Sequence, residues 1–407
     1  MALIHSEAAC PNIFPVENTA GKSEIDRLQE LSASITLNRT KIEELGRNTA
    51  VCWRTGVPSV SLSMRQLEYG QMEIYRRLSN LLDAATTVNL SDFKNSFFDI
   101  ALYKTDDDGT YQGTVYYPAQ RMESFSVSIG DPDALIERNF STIGEDEIEW
   151  QNDNKYYIEL IDTSCTGAGH QIVIGSGGWA DYPAPVYDPN VSGQYFVRGY
   201  SVTGAGVNTE LTEGTDFTYS NLTQTITIAA SVSGTTYKFW YTATTYIVGE
   251  EPFVDNDIDL CSIGAEDCEI YLGTSDRLYK LQSVTLDVSF DRNDYKEIGN
   301  ENIVQRGVRE ITTTVTLGRI LEDYTLEEYM IGQSGTDYGK IDVREFGDGY
   351  TLICKIYNNA DHDTFKMRYD MTNLSPTSLE GAASINEYLT MGVTLTGDAG
   401  TIKSVDA

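Results

Sequence analysis

Three histidines, six cysteines and 61 carboxylates are the groups from which this 407-residue chain would have to build a reaction centre. His5, His170 and His362 lie far apart, and none stands beside a serine, cysteine or carboxylate in a nucleophile–base spacing. Asp361-His362-Asp363 could offer an imidazole and two carboxylates to a metal, but a hairpin tip already accounts for aspartates there. Asp255, Asp257, Asp259 and Glu266 take the first, third, fifth and twelfth places of a calcium-loop frame. Leu260 stands where that loop needs glycine for its bend, so the run reads as an acidic linker, with a cation loop as the alternative. Thr105 to Gly109 (TDDDG) sets its aspartates in a row, which is turn chemistry. Gly175-Ser-Gly-Gly178 lacks the lysine and helix of a phosphate loop. No GxSxG, HExxH or zinc spacing occurs, although a glycosidase's two carboxylates would carry no motif. The chain reads as non-enzymatic, with no catalytic, cofactor-binding or metal-binding residue. Cys10, Cys52, Cys165, Cys261, Cys268 and Cys354 are scattered and read as reduced thiols; a Cys261–Cys268 bridge across a short loop is the alternative.

With no centre to position, the elements themselves become the message. From Leu281 to Met330 the chain alternates strictly at first: Val284, Leu286, Val288 and Phe290 apolar, Thr285, Asp287, Ser289 and Asp291 polar. A period of two over that length predicts a half-buried strand. A charged loop with Gly299 follows, then a second alternating run through Ile311, Val315 and Leu317. Thr325 to Glu328 (TLEE) is a capping box opening a short helix. The same unit stands 253 residues earlier. Leu28 to Met64 falls on Leu281 to Leu317 without a gap, with Leu31, Ala33, Ile35 and Leu37 on the apolar set. Arg39, Glu44, Gly46 and Val51 recur as Arg292, Glu297, Gly299 and Val304. Identity is low, so the shared strand phase, loop length and following helix carry the inference of a duplication. Ala134 to Gly144 finds a late partner in Ala383 to Gly392.

Serine, threonine, glycine and tyrosine abound, and long helical periods are lacking; the fold class is mainly β. Helical spacing runs from Gln71 to about Ala84, with Met72, Tyr75, Leu78, Leu81 and Leu82 on one face as core. No apolar run is long enough to span a membrane, and the first 30 residues lack a signal peptide's basic start and apolar stretch. The net charge of −32 argues against binding nucleic acid by phosphate neutralisation. It fits a solvated acidic surface, or a wall along which DNA moves without sticking.

In order, residues 1–26 read as an N-terminal arm and 27–161 as the first copy of the repeated unit. Residues 162–257 read as an inserted small β-sandwich and 258–407 as a second unit. Within the insertion, Gly193 to Tyr200, Thr215 to Tyr219, Thr223 to Ile228 and Tyr237 to Thr242 are short strands at immunoglobulin-like spacing.

The repeated pieces VTLDVSFDRNDYKEIG with REITTTVTLGR, and SITLNRTKIEELGR with PSVSLSMRQLEYGQMEIY, resemble the tail-tube protein family of bacteriophages. The insertion resembles the immunoglobulin-like decorations of phage tail proteins, with Thr209 to Ile228 as its clearest segment. The resemblance implies two tandem tail-tube-like β-barrels or sandwiches, each with one flanking helix, plus the inserted sandwich. It implies trimeric, pseudo-hexameric rings stacked into a hollow tube in the virion tail, assembled in the host bacterial cytoplasm. Partners would be further copies of the chain, baseplate, terminator or sheath proteins, and viral DNA passing unbound through an acidic lumen, with no membrane. On that footing Arg39, Glu44, Arg292 and Glu297, in the long loops, are the candidate subunit-interface residues, and reversing the charge of Arg292 is expected to impair stacking while leaving the fold intact. Two other readings stand: a ring-forming baseplate or terminator protein, and an adhesin binding carbohydrate on Tyr195, Tyr200, Trp240 and Tyr241.

Overall fold

A computed structural model describes the chain apart from residues 1–8, 16–22, 45–48, 50, 57, 82–83, 106–110, 131–132, 145–148, 152–155, 165–168, 188–194, 204–207, 248–261, 274–275, 297–302, 321–325, 327–329, 331–345, 358–363, 383–388 and 406–407. The fold is mainly β, as the composition requires. Its centre is an eight-stranded antiparallel sheet. Leu28–Thr36, Ser59–Leu67, Glu137–Gly144 and the end of Tyr111–Ile129 come from the first half of the chain. Leu281–Lys296, Ile303–Ile320, Thr390–Gly397 and the end of Phe365–Ala382 continue it from the second. Smaller outer sheets cover one face of it. One holds Ala9–Pro15, Phe98–Thr105 and Glu149–Gln151; the other holds Cys268–Leu272, Tyr350–Tyr357 and Ala399–Ser404. Val60, Leu62, Met64, Phe125, Val127, Leu286, Val315 and Leu395 fill the space between, all essentially buried.

The duplication extends to hydrogen-bond register. Leu31 faces Met64, and 253 residues on Val284 faces Leu317. The same shift carries Arg39↔Thr55 to Arg292↔Val308 and Phe140↔Met64 to Val393↔Leu317. The strand equivalent to Glu137–Gly144 is therefore Thr390–Gly397, a few residues later than the sequence alignment puts it. The backbone is bent left-handed at matching places: Arg27 (φ 55°) with Lys280 (φ 60°), and Ala119 (φ 49°) with Asn373 (φ 58°). Such angles cost a residue with a side chain about 1–2 kcal/mol. At Ala119 the bend is held by its own N–H donating to buried Asp99 at 2.6 Å. The bends let Tyr111–Ile129 and Phe365–Ala382 pass from an outer sheet into the central one as single strands. Sequence reading instead divides the first of these into Thr114–Tyr117 and Glu123–Ile129. One extra residue bulges at Glu123 and again at Thr377, where two residues on this strand face one on its neighbour.

Several sequence expectations change. Within the segment read as an arm, Ala9–Pro15 packs locally as a strand along Phe98–Thr105, as Cys268–Leu272 pairs with Tyr350–Tyr357. The charged loops are long hairpins, with Arg39–Ile42 on Cys52–Thr55 and Arg292 to Lys296 on Ile303 to Val308. In the first of these every side chain described is exposed, so no apolar period reveals it. The helix is shorter than its stripe, Glu73–Leu78, with Ile74, Tyr75 and Leu78 buried; Arg77 is buried too, held by Glu73 at 3.1 Å. Its counterpart shows helical backbone at Leu326 and Met330, both buried, while the rest of the TLEE segment lies outside the described residues.

Between the halves stand two small sheets over one aromatic core. Tyr156–Asp162, Thr236–Ala243, Phe196–Val202 and Asn208–Glu210 form the first; Gln171–Val173, Thr225–Ile228 and Phe217–Ser220 form the second. Tyr156–Asp162 thus pairs with Thr236–Ala243 and not with the strands that precede it. The insertion is fastened to the outer sheet of the first half. Tyr157 stacks on Tyr116 at 4.2 Å, and Arg198 lies 3.1 Å from Asp99, the carboxylate that also holds the Ala119 bend. Asp99 keeps the Arg198 guanidinium protonated against the opposing effect of burial.

Candidate assembly surface

The described residues bring no catalytic constellation together. His5, His362, the Asp255–Asp259 run and Glu297 lie outside them, and no group of three or more metal-ligating side chains occurs among those that are described. His170 meets Asp162 through Nε2, but Ser164 donates to the other oxygen of Asp162 and not to the imidazole. Those hydrogen bonds lower the carboxyl's pKa against the effect of burial. The contact ties the end of one small sheet to the start of the other. Gly175 to Gly178 is a tight turn, with Gly175 N–H donating to the Trp179 carbonyl at 2.8 Å. Tyr200, Trp240 and Tyr241 are 4%, 0% and 0% exposed, so three of the four rings suggested for carbohydrate stacking are core; Tyr195 is half-buried against Tyr219.

What the fold does present, among the described residues, is a sheet with two unpaired edges. Inside the chain, the last strand of the first half joins the first strand of the second, with Val288 opposite Phe125 and Ser289 opposite Ser124. Arg292 closes this junction. Its Nε donates to the Met122 carbonyl at 2.5 Å, and its two terminal nitrogens donate to Lys94 and Phe93 at 3.1 and 2.9 Å. A guanidinium has five donors in a rigid fork and suits such a cluster of carbonyls; an ammonium does not. Arg292 is therefore engaged within its own chain, and leaving the fold intact is no longer the expected result of reversing its charge. Arg292→Ala should cost about 2–3 kcal/mol in urea unfolding, and Arg292→Lys should recover less than half of that.

The outer strands of the sheet show the same chemistry left open. Leu28–Thr36 pairs with Ser59–Leu67 on one side, and among the described residues its other side has no partner; the same holds for the Ser375 to Ala382 end of Phe365–Ala382. Ile35 and Leu37 are 50% and 54% exposed, whereas their counterparts Val288 and Phe290 are 1% and 2% exposed. Arg39 and Glu44 lie on an exposed hairpin. Farther along it Trp53 is 60% exposed, as is Tyr295 on the matching hairpin.

The sheet face turned away from the core is hydroxylated: Ser61, Ser63, Ser124, Ser126, Ser141, Ser289, Thr312 and Thr314 line its middle. Glu30, Glu137, Asp287 and Glu380 share that face. Of the guanidiniums there, Arg65 is held by Glu137 at 2.9 Å, and partial desolvation by the surrounding sheet raises the pKa of the exposed Asp287 carboxyl. Sequence alternation had marked these positions as polar; that they form one continuous wall across both halves needed the pairing.

No protein-family model and no curated protein matches the chain. Solved structures similar to part of it include the PVC sheath-tube complex of an extracellular contractile injection system in the extended state. It shows 18% identity and a TM-score of 0.27 over 35% of this chain and 92% of that one. The anti-feeding prophage cap, an AFP tube terminating cap, is 17% identical, with a TM-score of 0.27 over 35% and 91%. The PVC sheath/tube terminator in the extended state is 18% identical, with a TM-score of 0.26 over 34% and 93%. Superposition at that level carries no argument, and the functional reading rests on the chain's own geometry and sequence.

Proposed function

We propose that this chain is a structural subunit of a bacteriophage tail tube, forming trimeric, pseudo-hexameric rings that stack into a conduit for DNA. The observation that carries the reading is the internal junction. Two equivalent units already join edge to edge within the chain, leaving outside the same pair of edges that the junction consumes inside. Exposed strand edges invite pairing, and a closed ring satisfies them without an open fibre. Three chains would supply six units. The hydroxyl and carboxylate face would line the lumen, where fixed negative charge keeps DNA from adhering. The insertion packs on an outer sheet, on the side away from that face, and would project outward from the tube. The two long hairpins, with Trp53 and Tyr295 exposed, would reach the adjacent ring, and other tail proteins would cap the ends. A baseplate or terminator ring would use the same edges; hairpins on both units favour stacking in series. The adhesin reading loses its main support with the burial of Tyr200, Trp240 and Tyr241.

Sedimentation across a concentration series tests the ring. The 45.2 kDa monomer should give way to a species of three times that mass and then to longer stacks. A stable dimer that goes no further would contradict the proposal, because two chains supply four units where the ring takes six.

A further inference from the structure

We propose that Arg39 makes, on the next copy of this chain, the contact that Arg292 makes inside it, and that the two open edges pair in the register of the internal junction. The inference rests on the ring-forming reading and gives its interface residue by residue. Arg39 is the residue 253 places before Arg292, with the same strand register across its hairpin. On the other edge, the shared bulge and the shared left-handed bend set a shift of 254, which takes Phe125 to Leu379 and Met122 to Pro376. The junction between chains therefore pairs Ile35 with Leu379, Ser34 with Glu380 and Thr36 with Ser378. Ile35 and Leu37 then become buried as Val288 and Phe290 are.

Arg39 reaches the carbonyl of Pro376, as Arg292 reaches that of Met122. Proline suits this place. The ladder of the internal junction ends at Ser124↔Ser289, two residues beyond Met122, so the equivalent position needs an acceptor and no donor. Proline has a carbonyl and no N–H, and it belongs on a strand edge. The two edges differ in sequence, so the interface is head-to-tail and each chain uses one edge of each kind.

The test is cysteine cross-linking in a background with Cys10, Cys52, Cys165, Cys261 and Cys268 changed to serine. Ser34→Cys/Glu380→Cys, oxidised with copper phenanthroline in air, should give chain–chain disulfides on a non-reducing gel. Ser32→Cys/Ser378→Cys, on the same face but four residues out of register, should give at least tenfold fewer. Alongside, Arg39→Ala should raise the concentration for half-assembly at least tenfold without moving the monomer's melting temperature, and Arg39→Lys should not restore it. Rings seen in the microscope whose chains link equally through both pairs, or through neither, would overturn this interface and leave the ring reading standing. Protein that stays monomeric and unlinked at its highest soluble concentration would overturn both.

Discussion

Ile35→Asp is expected to abolish assembly while leaving the isolated chain as stable as before. Ile35 is half exposed in the monomer, and surface changes of this kind stay within about 0.5 kcal/mol. In the ring it would occupy the place that Val288 holds at 1% exposure. Losing the burial of a branched apolar side chain removes about 2 kcal/mol per interface. Desolvating an unpaired carboxylate adds several more. Together they weaken each interface by roughly a thousandfold or more, since every 1.4 kcal/mol is tenfold. Sedimentation and thermal melting read the two halves of this expectation separately. A variant that still forms rings would show that Leu28–Thr36 is not the closing edge.

Glu68→Ala carries the largest expected effect on the fold itself. Glu68 and Arg138 are both fully buried, 3.4 Å apart, where the first half meets the second. Glu68 also accepts from Tyr369 of the second half at 2.9 Å and from the backbone N–H groups of Tyr69 and Gly70. Tyr369 in turn meets Tyr75, and Arg138 lies over the rings of Tyr69 and Tyr75 and donates to the Gln71 carbonyl at 3.1 Å. Burial raises the pKa of both Tyr69 and Tyr75, so they remain neutral and offer Arg138 the faces of their rings. Glu68, followed by the tyrosine oxygens, keeps Arg138 protonated despite its burial. Removing the glutamate strands a buried cation and should cost about 3–5 kcal/mol in urea unfolding. Adding Arg138→Met should recover most of that loss, because the penalty comes from an unpaired charge and not from the lost pair. A single-variant cost below about 1 kcal/mol would mean the cluster does not tie the halves.

How much of this was legible in sequence follows from where each signal arises. The alternation of Val284 to Phe290 and of Leu31 to Leu37 announced two equivalent strands, because one face of each alternates with core. The same pattern could not say that Val288 is covered and Ile35 is not, since coverage depends on which strand lies alongside. The hairpins beyond Arg39 and Arg292 were hidden because a ribbon solvated on both faces has no apolar period. Arg292 stands out in sequence as a repeated residue of a charged loop and reads there as a contact between subunits. Its three carbonyl partners lie some 170 to 199 positions away in sequence, and no local pattern reports them. The rings of the insertion read first as sandwich packing and only in the adhesin alternative as a stacking surface, because aromatic residues at short-strand spacing look alike whether they face solvent or a second sheet; Tyr200, Trp240 and Tyr241 are core.

The central claim is that the chain closes head-to-tail into rings and that the rings stack around an acidic channel. Electron microscopy of the concentrated, purified protein addresses it most directly. Hollow tubes whose end-on views show three-fold symmetry with six similar lobes, and three protrusions outside from the insertion, are the predicted result. Filaments without a lumen, or rings whose protrusions fill the centre, would contradict it.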